Sequence, residues 1–185
     1  MGNQGENMWK GAAAGLIGGL VASWTMNRFQ DVWLALSESN DPSTRSRSSD
    51  QEKESEEAQG SNGDNSEQDD TTIRAASALS EGIFGRKLTK DEKKIAGPAV
   101  HYAIGTGVGG LYGAVAEVAP QVTTSAGLPF GAAFWLVVDE TAVPVLGLSK
   151  PPTEYPVSTH VYALASHLVY GLTAELVRRN LRRAL

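Results

Sequence analysis

Pro98 and Pro120 bracket 21 residues, 19 of them neither charged nor histidine; the exceptions are His101 and Glu117. A helix crosses a bilayer with about 20 mostly apolar residues, so the stretch is long enough to span one. Stepping by four gives His101, Gly105, Gly109, Gly113 and Glu117, all on one helix face. An ionisable group at each end, with no side chain between, makes a surface that another helix can approach closely. The stretch therefore reads as a membrane-spanning helix built to pack.

A second stripe of the same kind lies near the start of the chain. Gly11, Gly15, Gly19 and Ser23 share the four-residue step, which continues to Asn27 and Asp31. Trp9 and Trp33 flank this candidate span, 10–36, as residues at a membrane interface do. Its polar second half (Asn27, Arg28, Gln30, Asp31) is expected to emerge into headgroups or to face protein. The same start also resembles a secretory signal, with Lys10 before an apolar core and small residues at Ala22 and Ser23. Apolar character resuming through Trp33, Leu34 and Leu36 favours a retained span. Glu6 breaks the myristoylation pattern, which needs Ser or Thr there.

The mean hydropathy of -0.22 conceals this character. Between Leu36 and Ile73 the only apolar side chains are Pro42 and Ala58, so the tract cannot offset its ordering entropy. It also holds much of the acidity behind the net charge of -5. The expected organisation is a transmembrane helix over 1–36, a disordered acidic insert over 37–72, amphipathic or interfacial helices over 73–97, and a three-helix transmembrane region with a basic tail over 98–185. Ile73, Ala76, Leu79, Ile83 and Phe84 recur at helical spacing. Thr89 and Glu92 fit a capping box, placing Pro98 in the first turn of the helix that follows. The third span is expected over about 126–148, bent by Pro144, and the fourth over 157–177, closing on Arg178, Arg179, Arg182 and Arg183. The fold class is all-α, a polytopic bundle of about four transmembrane helices. Arginines directly after the last span put the C-terminus in the cytoplasm.

His101, His160, His167, Glu117, Asp139, Glu140 and Glu175 all fall inside these spans, with Arg178 at an end. Ionisable groups inside a membrane are costly; they face the bundle interior, where they pair or line a polar path. Alternating helix direction arranges them in three layers. His101 and His160 lie with Asn27–Asp31 near one face, Asp139, Glu140 and His167 near the middle, and Glu117 and Glu175 beside Arg178 near the other. Two readings stay open: hydrogen bonds that fix helix register, or a path for protons or ions. His160 and His167 share a helix face but stand about 10 Å apart along it, too far to clasp one ion. Asp139 and Glu140 diverge by about 100° on a regular helix and form no facing acid–base dyad. Gly105-Thr-Gly-Val-Gly-Gly satisfies the dinucleotide pattern G-x-G-x-x-G, but no strand precedes it and helix packing explains it better. With no cysteine, the chain has neither disulfide nor thiol chemistry. No cofactor, metal site or nucleic-acid motif is expected.

The residues Leu88-Thr89, Glu92-Lys93, Ala96-Gly97, Val100-His101-Tyr102, Leu111-Tyr112-Gly113 and Ala116-Glu117 resemble those of the YagU-like family of bacterial inner-membrane proteins, a domain of unknown function. The resemblance continues through Asp139-Glu140, Val143-Pro144, Leu146-Gly147-Leu148 and Pro151-Pro152. It ends with His160, His167-Leu-Val-Tyr170-Gly171 and Glu175 to Arg179, covering roughly 86–183. It implies a multi-pass inner-membrane location and supplies no reaction, ligand or site. Taken together, the sequence predicts a non-enzymatic membrane protein in contact with lipid, its glycine faces offering a route to a homo-oligomer. The alternative is a small channel, transporter or proton-responsive protein using the intramembrane histidines and carboxylates.

Overall fold

In a computed structural model of the protein, which describes residues 2–40 and 71–184, all regular structure is helical. The principal elements are α1 (Gly2–Asn40), α2 (Thr71–Phe84), α3 (Lys90–Val118), α4 (Leu128–Val137), a short α5 (Val143–Val145) and α6 (Val157–Ala184). A 3₁₀ segment, Pro120–Gly127, leads into α4, and a π turn, Val138–Ala142, joins α4 to α5. The acidic insert falls outside the described residues from 41 to 70; its expected ends do not, since 37–40 complete α1 and 71–72 open α2.

The two glycine stripes face each other. A Cβ on Gly109 would stand 2.5 Å from the Gly19 Cα and 2.6 Å from the Gly15 carbonyl oxygen. One on Gly113 would stand 2.8 Å from the Gly15 Cα, and one on Gly11 would meet the Gly113 carbonyl at 2.5 Å. The pairing runs antiparallel, and only residues lacking a side chain allow backbones this close. Gly107, between the stripe members, has nothing within 4 Å of its Cβ position and points away from α1.

α6 packs on another side of α1, with Gly18 against Ala174 and Trp33 against Tyr162, ring centroids 5.8 Å apart. It too runs antiparallel to α1. α4 then packs on α6, Gly131 lying against the His167 backbone and Gly127 against that of Gly171. The four long segments therefore alternate in direction. The interior they share mixes small and polar residues (Ala14, Ala22, Ser23, Ser166, Ala174 and Glu175) with a few large ones, Met26, Tyr112 and Tyr170. Large apolar side chains point outward instead, among them Leu16, Ile17, Leu20, Trp24, Leu111, Leu136 and Val137. Among the described residues one helical segment, Pro120–Val145, is long and apolar enough to cross a membrane by length and composition. The other long helices carry too much glycine, histidine and arginine to meet that standard.

Two expectations need correction. Pro98 lies well inside α3 rather than in a first turn, because the Thr89 capping box starts the helix at Lys90. There the Glu92 amide donates to the Thr89 hydroxyl (3.3 Å) and the Thr89 amide donates to the Glu92 carboxylate (2.9 Å). Arg86 adds two hydrogen bonds to that carboxylate and, with the Thr89 amide, holds it down to about 2. The third segment is likewise broken rather than continuous over 126–148. Ser125, Ala126 and Gly127 adopt left-handed backbone, and α4 begins only at Leu128. Its bend sits at the π turn, ahead of Pro144, where the Val143 amide reaches back five residues to the Val138 carbonyl. Pro144 has no amide hydrogen for the Glu140 carbonyl, and a π turn redistributes the donors that remain.

Gly109→Leu is expected to separate α1 from α3 and destabilise the fold by at least ~2 kcal/mol. Gly107→Leu, on the open face, should stay within ~0.5 kcal/mol of the parent. Denaturation of both variants in detergent micelles measures the contrast; equal tolerance would mean the stripe does not hold the bundle.

Candidate functional site

The ionisable residues separate into two groups with different chemistry. At the end where α1 begins and α3 finishes, Glu175 is completely buried. One of its oxygens accepts from the Tyr112 hydroxyl (2.9 Å) and from Arg178 Nε (2.8 Å); the other accepts from Arg178 Nη2 (3.0 Å). Glu117 accepts both arms of Arg182, at 2.8 and 2.9 Å, and lies 3.5 Å from Arg178 Nη1. Two carboxylates face two guanidiniums with their polar atoms largely satisfied, the condition under which a buried ion pair is tolerated. Arg179, 3.4 Å from Glu175 and 45% exposed, forms the rim. The cluster is saturated and leaves little open to a ligand.

The second group surrounds a cavity of ≈ 1120 Å³ that holds His101, Asp139, Glu140, His160 and His167 on its walls. α3 and α4 meet at one end, where the Tyr112 and Phe130 rings stack at 4.0 Å. Both helices contribute to the lining of the cavity, with His101, Ile104 and Gly105 from α3 and Phe134 from α4. Its buried floor is Ser23, Gly105 and Tyr170, with the Tyr170 hydroxyl donating to the Gly105 carbonyl and tying α6 to α3. α2 covers one side and is tethered by Arg74, which donates to the Leu148 carbonyl (3.2 Å). The exposed residues Lys94, Lys150 and Tyr155 stand at the mouth.

Two histidine–carboxylate pairs line one wall. His160 Nδ1 lies 2.7 Å from Glu140 and Nε2 lies 3.0 Å from the Pro152 carbonyl. A carbonyl can only accept, so Nε2 carries a hydrogen; the remaining proton lies between Nδ1 and Glu140. Wherever on that axis it sits, the pair is neutral overall. His167 Nδ1 donates to the Ala163 carbonyl (2.9 Å), and Asp139 stands 3.6 Å from the same nitrogen, beyond hydrogen-bond distance. The Phe134 ring meets His167 edge-on at 5.1 Å.

Glu140 therefore belongs with His160 near the mouth, not with Asp139 and His167 in a middle layer. α4 and α6 run in opposite directions, so one step along α4 moves toward His160, and the longer Glu side chain covers the remaining distance. His101 lines the same cavity, near the Asn27–Tyr102 hydrogen bond at 3.3 Å. Glu117, Glu175 and Arg178 do not line it. Gly11, Gly15, Gly19, Gly105, Gly109 and Gly113 all lie at the α1–α3 contact. Sequence reading missed Arg182 and Tyr112. Arg182 carried a signal, because Glu175, Arg178 and Arg182 fall three and four residues apart on one helix face. Tyr112 carried none, since its partner is 63 residues away. Among the described residues no group of three or more His, Asp or Glu is placed to hold a metal ion.

Residues 85–176, which hold the cavity's two histidine–carboxylate pairs, match the family described as "Protein of unknown function (DUF1440)". Over 74 residues the chain is 35% identical to inner membrane protein YagU of Escherichia coli (strain K12). Through this region the chain belongs to the YagU-like family. The alignment spans 40% of this chain and 36% of that relative. No solved structure matches the chain. The matched region includes His101, Glu117, Asp139, Glu140, His160, His167 and Glu175, and excludes the α1 glycine stripe and Arg182.

Glu175→Gln is expected to destabilise the protein by about 3 kcal/mol, because Arg178 stays buried with its main counter-ion gone. Lys10→Ala, which breaks the exposed Glu6–Lys10 pair at 2.9 Å, should cost less than ~0.5 kcal/mol. Unfolding in micelles reads both, and a Glu175→Gln cost near zero would mean the cluster adds no stability.

Proposed function

We propose that the protein is a non-enzymatic, multi-pass protein of the bacterial inner membrane, with four spans supplied by α1, α3, the Pro120–Val145 segment and α6. Its working feature is a cavity, which on this reading opens at one end only, because the Tyr112–Phe130 stack and the Glu117–Glu175 cluster lie toward the other. The observation that carries this reading is the division of the ionisable groups. His101, Asp139, Glu140, His160 and His167 line the cavity, with Lys94 and Lys150 at its mouth, while Glu117, Glu175 and Arg178 form a saturated cluster beside the Tyr112–Phe130 stack. The inner-membrane name of the Escherichia coli relative supports the location. So does the distribution of side chains, with many large apolar residues outward, which suits a lipid surround. Among the described residues the cavity brings together no nucleophile, base and oxyanion donors, which favours binding over catalysis.

Arginines at the end of α6 favour a cytoplasmic C-terminus, although Arg178 and Arg182 are engaged internally. On that orientation the cavity mouth faces the periplasm. The chain lacks cysteine, so an introduced thiol reports without background. In intact spheroplasts an impermeant maleimide should label Glu154→Cys at once and Ala184→Cys only after permeabilisation. The reverse pattern inverts the orientation, and labelling of both removes the four-span topology.

A second reading, a channel, transporter or proton-responsive protein, is favoured by one observation. The segment beside the cavity is discontinuous, with left-handed residues at 125–127 and a π turn at Asp139 and Glu140, and broken helices accompany transport sites. Reconstitution into liposomes containing a pH-sensitive dye distinguishes the two. A one-ended cavity predicts no proton flux above protein-free vesicles; a flux that disappears in His167→Ala would establish the transport reading instead.

A further inference from the structure

We infer that the cavity binds a lipophilic organic cation, with Asp139 as its counter-ion. The inference rests on the reading of the cavity as an open-ended binding site within a membrane protein. Its volume of ≈ 1120 Å³ is at or above the range of about 300–1,000 Å³ typical of small-molecule sites. Its walls are mainly apolar, with Met26, Ile104, Phe134 and Val143 among them, so the occupant must have a substantial apolar body.

The sign of its charge follows from the pairing of the wall groups. Glu140 and His160 form a neutral pair, and Lys94 at the mouth is 3.4 Å from Asp91. Deeper in, His167 commits its Nδ1 hydrogen to the Ala163 carbonyl, and Asp139 receives no hydrogen bond among the described residues. Its side chain is 37% exposed and belongs to the cavity lining. His101 and Lys150 are the other ionisable groups on the lining, and Lys150 is exposed at the mouth. Phe134, half-buried, adds an aromatic ring to the same cavity lining as Asp139. Aromatic faces and a carboxyl in an apolar surround together favour a cation over an anion or a neutral molecule of the same size.

The test uses the full chain purified in a non-ionic detergent, with tetraphenylphosphonium and its near-isosteric anion, tetraphenylborate, as probes in equilibrium dialysis. Saturable binding of the cation is expected, at least tenfold tighter than that of the anion. Asp139→Asn should weaken it at least tenfold, and Glu6→Gln should leave it unchanged. Ile104→Trp, which fills the cavity without altering its charge, should also weaken it and serves if Asp139→Asn does not fold. Equal binding of both ions, preference for the anion, no binding, or cation binding indifferent to Asp139→Asn and Ile104→Trp would each overturn the inference. The membrane reading stands or falls on thiol labelling and the one-ended cavity on dye flux, so failure of either is distinguishable from failure of cation binding.

Discussion

The contact of α1 with α3 is made by backbone, and the positions of most other groups depend on it. Gly15 and Gly19 lie against Gly109 and Gly113 so closely that a methyl group on either side would collide with main-chain atoms. In a lipid surround no hydrophobic force drives helices together, and dispersion between well-matched surfaces has to hold them. That accounts for the glycines at the α1–α3 contact, beside which Met26, Tyr112 and Tyr170 fill the interior while Leu16, Ile17 and Leu111 face outward. With α1 pressed on α3, its adjacent face carrying Gly18, Ala22 and Met26 receives α6, and Tyr170 packs against them. Tyr112 and Tyr170 can then cross from α3 to α6 and back, bonding Glu175 and the Gly105 carbonyl.

The two ends of the bundle treat polar groups differently. Where Glu117 and Glu175 lie, guanidiniums from the last turns of α6 fill the available acceptor positions and the region closes. Where His101, Asp139 and His160 lie, the groups stand on the wall of a cavity. The left-handed turn at Ser125–Gly127 and the π turn at Val138–Ala142 bound α4 on either side. Gly127, at φ 83°, also lets its backbone meet that of Gly171, which anchors the start of α4 on α6.

Much of this was legible in residue spacing. Four-residue steps put Gly11, Gly15 and Gly19 on one face and Gly105, Gly109 and Gly113 on another, and helix periodicity alone suffices for that. The end positions of Glu117 and Glu175, and the approach of Asp139 to His167, followed from counting residues along alternating helices. What spacing missed was side-chain reach and local irregularity. Glu140 pairs with His160 because its side chain extends one methylene further than that of Asp139. The break before Leu128 was marked by Gly127 and by Pro129 in the first turn of α4, but the left-handed backbone at Ser125 and Ala126 was not, since those residues rarely adopt it.

By itself the sequence determined which faces could meet, because that depends on side-chain size at helical intervals. It also determined where α3 starts, since a capping box is a local exchange of hydrogen bonds between Thr89 and Glu92. Only the tertiary structure decided that one set of ionisable groups would be saturated and the other left on an open cavity. That outcome depends on which distant side chains meet: Tyr112 and the α6 arginines fill the acceptors of Glu175 and Glu117, whereas Asp139 stands on the cavity lining.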